Sequence, residues 1–566
     1  MEPESQPHLR AGHALRAACG YIVIGALFFW PMLIRISTHL MSVEQFVIPG
    51  SGGDENRFLW LYWWFQKALS TGHSPLNCDW IWPPTGGNLT YGSIPFLPAL
   101  LTYPVGRLFG PVVGSNVMVF LMMAGGAFTY YVFLKRTFVV SELAAFCGGA
   151  LFGYGPHLVW KATGGQYNLI GACWWATCLG AVVTAYYRNA FTWQNALLFA
   201  IFLWATFWSS FIEFFMLGIT LLLTVALWEA TYWCTGQRKG IERRIAFFLL
   251  AAPGLISFLI LRGAPHQVLE APIWTKISLL DLIPCAKMSV FSWLGLPRRT
   301  EAVMPHSFVY LGIIGVYALA VRRTKLIWPT AIMALLLVAF SVDLFGISTY
   351  GLRAVPVVGK GYRYFSRFLP FAFFFLLVFS CYGIDFLQRA CRSTGLRPTL
   401  KSIALCGLLV FATLELYPFM LAVVPVKHLP LTEEARKELH TGQYCMLIPK
   451  NLFVPNHEDY QVTLDVPCVF FAYWWYMDLQ ALKWREEHYP AIYNAVPMPF
   501  PATSLPNPLA EDFLQECRDL RIGFLLFEDK SKAQALRERG SVLYEDDQRL
   551  LLKLAQSESA LTAGTR

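Results

Sequence analysis

The feature that most constrains this chain is a succession of apolar segments, each about as long as a membrane-spanning helix. A helix needs about 20 mostly apolar residues to cross the bilayer. We count such segments at 18–36, 113–134, 138–158, 168–187, 193–208, 211–233, 245–262, 306–321, 327–345, 367–387 and 402–423. The chain is 56% hydrophobic and only 14% charged, whereas soluble proteins are about 25% charged. The sequence therefore predicts an α-helical polytopic membrane protein with about 11 transmembrane helices.

The basic residues between these segments predict the orientation of the chain. Cytoplasmic loops of membrane proteins carry an excess of Lys and Arg. Basic residues precede the first segment and then follow the even-numbered ones: Arg10 and Arg16, Lys135 and Arg136, Arg188, Arg238 to Arg244, Arg322 to Lys325, and Arg389 to Lys401. We therefore expect a cytoplasmic tail over 1–17 in a multi-pass protein of the inner (plasma) membrane. The loops 37–112, 263–305 and 346–366, and the chain after about 424, then lie outside the cytoplasm.

The charge pattern also bounds the partners. The formal net charge of +9 arises from these loops, where it sets orientation, and it predicts no nucleic-acid partner. No Gly-rich phosphate loop follows a predicted strand, which argues against a nucleotide-activated substrate. Chemistry on the outer side must then use an activated group carried by a lipid, or use none.

The first outer loop, 37–112, contains two adjacent carboxylates, Asp54 and Glu55. Ionised side chains at a membrane edge are costly unless they have a use. The pair precedes 56–70, whose apolar residues recur at helical spacing and predict a helix lying in the membrane interface. The apolar residues of one face are Phe58, Tyr62, Phe65 and Leu69.

The chain after 424 changes character, because charges become frequent and strand-like runs alternate with helix-like runs. This predicts a small α/β domain over 425–556, followed by a disordered tail over 557–566. The membrane domain then covers 18–424. Within the C-terminal domain we predict strands at Gln443–Pro449 and Ile522–Phe527, a short helix at Ser531–Gly540, and a strand pair around a turn at Asp546-Asp547.

Several further polar residues fall on the predicted outer side and are candidates for substrate binding. They are His157, Lys161, Gln166, Glu213, Lys360, Arg363 and Arg367. Glu213 lies just inside the sixth apolar segment, and a carboxylate within the membrane is a functional candidate by default. The alternative is that Glu213 pairs with a basic residue.

Short motifs along the chain resemble the GT-C superfamily of membrane glycosyltransferases, in particular polytopic bacterial members. They are Gly53-Asp54 before a helix with Trp60, Trp63 and Trp64, the run from Trp82 to Leu89, Gly153 to His157, Arg363 to Phe368, and Tyr476 to Gln480. The resemblance implies a polyprenyl-phosphate-linked sugar donor, an outward-facing active site and a catalytic acidic residue in the first loop. On this sequence that residue is Asp54, or Asp54 with Glu55, because Glu stands where Pro or a small residue is common in the family.

Glycosyl transfer from a lipid phosphate requires groups that these residues can supply. A carboxylate takes the proton of the acceptor hydroxyl, which is the role we predict for Asp54. Cationic side chains stabilise the leaving phosphate, and Arg363 and Arg367 can share one helical face. We rank Lys360, Lys161 and His157 behind them. Trp64 and its neighbouring tryptophans are candidates for stacking on sugar rings, and a divalent cation, Mg²⁺ or Mn²⁺, is a candidate ligand of the acidic pair.

Each of these residues also has a structural interpretation. The acidic pair can cap the helix that follows it, because carboxylates favour helix N-termini. Arg363 and Arg367 can anchor a span by snorkelling, and His157 and Lys161 can be turn residues.

The acceptor in the transferase hypothesis is a lipid, a glycan or a protein, with membrane lipid as the surroundings. Two other classes of function stay open at this point. A transporter or flippase is one, although the chain shows no convincing repeat of the kind that transporters carry. An envelope scaffold with a partner-binding outer domain is the other.

Overall fold

The computed structural model describes most of the N-terminal half and parts of the C-terminal half. The described residues are 10–41, 55–81, 84, 86–89, 95–138, 140–234, 241–249, 306–322, 327–341, 365–393, 423–426, 429–441, 443–448, 461–462, 464–469, 487–493, 511–527 and 530–555. The predicted site residues Asp54, Lys360 and Arg363 lie outside these ranges, as do nearly all of 402–423 and the whole of 557–566.

The described part of the chain is mainly α-helical. Its helices are α1 (Ala11–Phe28), α2 (Trp30–Leu33), α3 (Glu55–Thr71), α4 (Phe96–Phe109), α5 (Pro111–Thr137), α6 (Glu142–Gly153), α7 (Pro156–Thr163), α8 (Ala172–Tyr187), α9 (Trp193–Ser209), α10 (Phe211–Cys234), α11 (Ile241–Leu249), α12 (His306–Arg322), α13 (Ile327–Ser341), α14 (Leu369–Ser393), α15 (Glu433–Leu439), α16 (Pro490–Tyr493) and α17 (Glu511–Asp519). Three 3₁₀ helices cover Tyr167–Leu169, Phe365–Phe368 and Lys530–Arg539.

The strands are short. They are β1 (His39–Met41), β2 (Asn77–Cys78), β3 (Gly87–Asn88), β4 (Val423–Pro425), β5 (Tyr444–Ile448), β6 (Cys468–Val469), β7 (Ile522–Phe527), β8 (Gly540–Glu545) and β9 (Leu550–Leu554).

Five helical stretches among the described residues are long and apolar enough to cross a membrane. They are Ala11–Phe28, Pro111–Thr137, Tyr167–Tyr187, Ile212–Cys234 and Leu369–Arg389. Leu311–Ala320 and Trp328–Ser341 are shorter apolar stretches. The membrane character of the chain is thus confirmed, whereas the predicted total of eleven spans stays a prediction.

The predicted third span, 138–158, is not a single helix. Helix α6 ends at Gly153, and α7 begins at Pro156, where proline is tolerated because the first helical amide has no partner within the helix. The Tyr154 hydroxyl donates a hydrogen bond to the Tyr21 carbonyl oxygen at 2.6 Å. Hydropathy alone missed this break, because the residues on both sides of it are apolar.

The chain forms two compact units. Unit one comprises Met1–Ile36, Pro95–Leu101 and Asn116–Val423, and unit two comprises Ser37–Ile94, Thr102–Ser115 and Val424–Arg566.

In unit one, α6 packs closely on α5 through two glycines four residues apart, Gly149 and Gly153. A methyl group on Gly153 would lie 2.5 Å from the backbone nitrogen and Cβ of Ala127 and 2.6 Å from the Met123 carbonyl oxygen. Small residues at this spacing let membrane helices approach backbone to backbone. The contact fixes the end of α6, just before the turn that leads to His157.

In unit two, β5 to β9 form one mixed sheet with the strand order β6-β5-β7-β9-β8. Strand β5 pairs in parallel with β6 and β7, whereas β9 pairs antiparallel with β7 and β8. Every residue of β7 is buried, as its continuous apolar sequence predicts. The predicted strands and the turn at Asp546 are confirmed, whereas the predicted helix near 531–540 is a 3₁₀ helix.

Helix α3, also in unit two, is buried over most of its circumference. The Tyr62 hydroxyl donates a hydrogen bond to the Thr102 carbonyl oxygen of α4 at 2.9 Å. Gly106 leaves room for Gln66, because a methyl group there would lie 1.8 Å from the Gln66 Nε2 atom. The helix predicted at 56–70 is confirmed, but a single interfacial apolar face is wrong, because the chain itself covers the other faces.

Candidate functional site

Glu55, the described member of the predicted acidic pair, is the first residue of α3 and is only 1% exposed. Asp54 directly precedes this helix in the sequence. Asn56 is 5% exposed, and its Oδ1 atom has no hydrogen-bond partner among the described residues. Burying a carboxyl group is costly unless other groups compensate for it. The start of α3 is therefore a buried polar site rather than an ordinary exposed helix cap.

A buried amide holds α3 one turn and a half further on. The Trp60 indole nitrogen donates a hydrogen bond to Gln461 Oε1 at 2.6 Å. Gln461 Nε2 donates in turn to the carbonyl oxygens of Trp80, at 3.1 Å, and Val466, at 2.9 Å. Because Gln461 is completely buried, these bonds fix the position of the helix that carries Glu55.

An ion pair fixes the same helix near its other end. Lys67 Nζ lies 2.8 Å and 3.0 Å from the two carboxylate oxygens of Asp465 and 4.6 Å from the centre of the Trp80 ring. The Trp80 ring also packs at 6.4 Å from Trp64. Trp64, a predicted substrate-binding residue, is 1% exposed, so protein covers the ring faces that stacking on a sugar would need.

In unit one, three predicted substrate-binding residues lie on helix α7 or directly after it. His157 and Lys161 lie one helical turn apart on α7 and are both buried. The backbone N–H of Gln166 donates a hydrogen bond to the Lys161 carbonyl oxygen at 2.8 Å. The His157 ring packs on Phe373 of α14 with centroids 4.8 Å apart.

Two of these side chains present buried polar atoms that lack partners. Within the described residues, neither His157 Nε2 nor Gln166 Oε1 has a hydrogen bond. Buried polar atoms in proteins are nearly always paired, so each exception calls for an explanation. A bound polar ligand is one such explanation.

Glu213 lies near the start of α10 and is 4% exposed. A methyl group on Gly171 would lie 2.7 Å from its Oε2 atom, which places the carboxyl group against the backbone before α8. The Trp175 indole faces the carboxyl group, yet neither its Nε1 atom nor Glu213 Oε2 meets hydrogen-bond geometry with a described residue. No basic residue in the described ranges pairs with Glu213, so the predicted alternative of a structural ion pair finds no support there.

His157 and Trp175 share a neighbour, which links the turn to the surroundings of Glu213. The Phe152 ring lies 5.6 Å from His157 and 5.5 Å from Trp175. Arg367 lies half-buried in the 3₁₀ helix before α14, the helix that also supplies Phe373. We group five residues of unit one under the name His157–Glu213 cluster, since Phe152 contacts both His157 and Trp175: His157, Lys161, Gln166, Trp175 and Glu213.

The described residues bring together no group of three His, Cys, Asp or Glu side chains that could hold a metal ion. Glu55 and Asn56 supply oxygen atoms, the ligand type that Mg²⁺ and Mn²⁺ prefer. These two residues alone do not make a complete ligand set for either ion.

The sequence interpretation missed Gln461 and Asp465, the two residues that hold α3. Both lie near 400 positions away from their partners, and neither belongs to a periodic pattern. An acidic residue at a position with positive φ, such as Asp465 at +56°, marks a specific turn only once the backbone is known.

No protein-family model matches the chain, and no curated protein matches it in sequence. The arabinofuranosyltransferase AftD from Mycobacteria is similar in structure, with a TM-score of 0.56 and 12% identity over 96% of this chain and 42% of that chain. The oligosaccharyltransferase AglB from Archaeoglobus fulgidus, in complex with an inhibitory peptide and a dolichol-phosphate, has a TM-score of 0.47 and 12% identity over 95% of this chain and 74% of that one. Its apo form gives 0.46 and 12% over 96% and 75%.

This chain thus spans less than half the length of AftD. AftD is a GT-C membrane glycosyltransferase. The similarity to AftD extends over nearly all of the present chain. At 12% sequence identity, this similarity shows a shared fold. The protein therefore has a fold like that of AftD, in agreement with the superfamily that its sequence motifs resemble.

Proposed function

We propose that the protein transfers a sugar from a polyprenyl-phosphate-linked donor to an acceptor on the outer face of the membrane. The observation that carries the proposal is the burial of Glu55, which is 1% exposed at the start of α3 and directly follows Asp54, in a chain with the GT-C fold. A membrane protein that keeps carboxylates in a buried place generally uses them. The lack of a nucleotide-binding loop in the sequence favours a lipid-linked donor.

The proposed reaction needs one proton acceptor. An acceptor hydroxyl oxygen forms a bond to the anomeric carbon of the sugar, and the bond from that carbon to the phosphate oxygen breaks. The phosphate leaves with the electron pair, while the hydroxyl proton passes to a carboxylate. We assign this base to Asp54, with Glu55 as the second carboxylate of the pair.

The leaving phosphate requires positive charge near it. Arg363 and Arg367 are our first candidates, since a guanidinium group binds phosphate through two parallel hydrogen bonds. Lys360 is the next candidate. These assignments rest on their residue types and on their predicted outer location.

The His157–Glu213 cluster is our candidate for donor recognition within unit one. Its buried atoms without a hydrogen bond to any described residue include His157 Nε2 and Glu213 Oε2, and a sugar hydroxyl can both donate and accept. Lys161, buried one turn after His157, supplies positive charge for a phosphate.

The test is replacement of the proposed base in cells that otherwise lack the protein. We expect Asp54→Asn to lower the amount of the glycosylated product about a hundredfold or more, the usual cost of losing a general base, and Glu55→Gln to show whether the second carboxylate is also needed. Comparative mass spectrometry of glycolipids and glycans measures the product. Asp512→Asn is the matched control, because Asp512 is an exposed acid in the first turn of α17. A wild-type glycan profile in folded Asp54→Asn protein would contradict the proposal.

One observation favours a second candidate, a transporter or flippase. Glu213 is a buried carboxyl group on a candidate span, with no basic partner among the described residues, and such groups also mark transport pathways. Transfer of a labelled lipid-linked sugar across proteoliposome membranes, abolished by Glu213→Gln but unaffected by Asp54→Asn, would favour transport over transfer.

A further inference from the structure

Unit two contains a cavity of about 310 Å³ between the end of α3 and the β2–β3 hairpin. Nothing in the glycosyl transfer proposed above makes use of it. Its lining residues are His73, Ser74, Asn77, Cys78, Asp79, Gly86 and Gly87. Ligand pockets begin at about this size, so the cavity has room for a small ligand such as one sugar ring.

One wall of the cavity is fixed by the way α3 ends. Gly72 adopts a φ of +74°, and the His73 amide donates a hydrogen bond to the Ala68 carbonyl oxygen at 2.9 Å, which closes the helix. The His73 Nδ1 atom pairs with the Thr71 hydroxyl at 2.9 Å. The ring is therefore held in one orientation, and Nε2 is the ring nitrogen that is left for a ligand.

The opposite wall is formed by backbone. Gly86 has a φ of +69°, and a methyl group there would lie 2.8 Å from the Cys78 carbonyl oxygen. Only glycine tolerates both conditions. Gly87 pairs with Cys78 in the hairpin register, so the backbone of two glycines lies where a side chain would otherwise fill the space.

The floor of the cavity is tied to the main sheet of the same unit. The Tyr444 hydroxyl, at the start of β5, donates a hydrogen bond to the Asp79 carbonyl oxygen at 2.7 Å. Cys78 is buried, and this burial raises the pKa of its thiol well above the usual range, so that the thiol stays neutral. The walls and the floor are thus ordered by hydrogen bonds that do not depend on a ligand.

The lining groups indicate the class of ligand. His73, Asn77 and Ser74 can donate and accept hydrogen bonds, whereas the Asp79 carboxylate can only accept. The described lining residues include no Lys or Arg, and a carboxylate repels anions, which disfavours phosphate and acidic sugars. A ring that carries several hydroxyl groups matches a lining of mixed donors and acceptors.

We propose that this cavity binds a neutral sugar unit of a growing or acceptor glycan. The residues that hold this sugar are then different from the proposed catalytic residues. The choice of a glycan rests on the proposed function, whereas the cavity and its polarity do not. Binding requires that Asn77 and Asp79 contact the sugar hydroxyls directly. Both side chains are exposed, so replacing them leaves the packed core of unit two intact.

The test is a binding measurement on the purified full-length protein in detergent. The probes are maltohexaose, mannohexaose, cellohexaose and an arabinofuranose hexasaccharide, with a galacturonic acid hexamer as the anionic comparison. We expect at least one neutral oligosaccharide to bind more tightly than the anionic one. Asn77→Ala and Asp79→Ala should each weaken that binding about tenfold, the effect of losing one or two hydrogen bonds. Ser70→Ala, on the exposed end of α3 and outside the cavity lining, is the matched control.

Thermal unfolding checks that the variants are folded, and the measured affinities of the folded variants then decide whether the proposal holds. If no neutral oligosaccharide binds, or if Asn77→Ala and Asp79→Ala both bind like wild type, the cavity does not hold a glycan. A stronger response to the galacturonic acid hexamer than to every neutral probe would equally overturn it. Failure here is separable from failure of the transferase proposal. If an oligosaccharide binds as expected but Asp54→Asn cells show a wild-type glycan profile, only the transferase proposal is rejected. If no oligosaccharide binds but Asp54→Asn removes the glycosylated product, only the cavity proposal is rejected.

Discussion

The indole of Trp60 and the amide of Gln461 form a hydrogen bond of 2.6 Å, although 401 positions separate the two residues in the sequence. Trp60 belongs to α3, whose first residue is the buried Glu55. Gln461 also donates hydrogen bonds to the carbonyl oxygens of Trp80 and Val466. A single buried amide therefore holds together the helix of the acidic pair, the loop that follows this helix, and a segment near the C-terminal sheet.

We predict that Gln461→Leu destabilises the protein and lowers product formation together. Leucine fills a similar volume but leaves the Trp60 N–H and two backbone carbonyls unpaired, at a cost of about 1–3 kcal/mol for each unsatisfied group. Thermal unfolding in detergent measures the loss of stability, and glycolipid mass spectrometry measures the product. Gln515→Leu is the control, since Gln515 is exposed on α17. Equal unfolding temperatures for the two variants would show that the Gln461 amide does not hold α3.

The second prediction concerns the ion pair between Lys67 and Asp465, which is half-buried, with side-chain exposures of 23% and 43%. We expect a double-mutant cycle of Lys67→Met and Asp465→Asn to give a coupling energy of about 0.5–1 kcal/mol. Asparagine is the suitable replacement because it tolerates the positive φ of residue 465. Raising the salt concentration should reduce the coupling. Additive effects of the two substitutions at low salt would mean that the pair contributes nothing.

The helices and the strands were largely predictable from local patterns. The acidic residue before an aromatic helical pattern predicted α3 within a residue or two, and the continuous apolar run Ile522–Phe527 predicted β7. What the sequence could not reveal is what covers those elements. An interfacial position for α3 followed from its composition alone, whereas its burial depends on Gln461 and on Gly106.

The candidate site was predictable to a similar extent. His157, Lys161 and Gln166 were candidates from the sequence, where His157 and Lys161 could also be turn residues, and the structure places the first two on helix α7 and Gln166 directly after it. The surroundings of Glu213 were not predictable, because whether a carboxyl group inside a span meets a basic residue depends on how the helices pack. Hydropathy also predicted one continuous third span across the break after Gly153, because the residues on both sides of the break are apolar.

The third prediction tests the close packing of α6 on α5 at Gly153, just before that break. Gly153→Ala should destabilise unit one by several kcal/mol, because the added methyl group would meet the backbone of Ala127 and Met123 rather than a movable side chain. Gly218→Ala, in α10, is the matched control, since nothing lies within 4 Å of the added carbon. There we expect a gain of up to about 1 kcal/mol from the better helix propensity of alanine. Thermal unfolding of the two variants measures the difference, and a loss of stability at Gly218 as large as that at Gly153 would contradict the close packing.

The fourth prediction concerns acid. Burial disfavours ionisation of the Asp546 carboxyl group, but hydrogen bonds to its oxygens outweigh this effect and hold the pKa of Asp546 well below its usual range. The donors are the backbone N–H groups of Gln548 and Arg549, the Arg549 guanidinium and the Tyr544 hydroxyl. A lowered pKa in the folded state adds stability above the unfolded value of about 3.9, and this stability is lost as the pH falls through the folded value. Asp546→Asn should therefore lower the unfolding temperature at pH 7 more than at pH 3. An equal decrease in unfolding temperature at pH 7 and at pH 3 would exclude a role for the Asp546 charge.

The last prediction separates function from stability at Glu213. Glu213 has a buried, unpaired oxygen and no basic partner among the described residues, so Glu213→Gln should leave the unfolding temperature unchanged or raise it while product formation falls. Glu229→Gln is the contrast, because Glu229 lies 2.7 Å from the buried Arg244 guanidinium and also accepts a hydrogen bond from Tyr186. The Glu229 side chain is 35% exposed, but its replacement leaves the buried Arg244 guanidinium without its carboxylate, so that variant should unfold at a lower temperature. A polar group kept in the membrane for its chemistry should show this pattern, since its burial stabilises nothing by itself. If Glu213→Gln instead lowers the unfolding temperature as much as Glu229→Gln does, Glu213 is a structural residue.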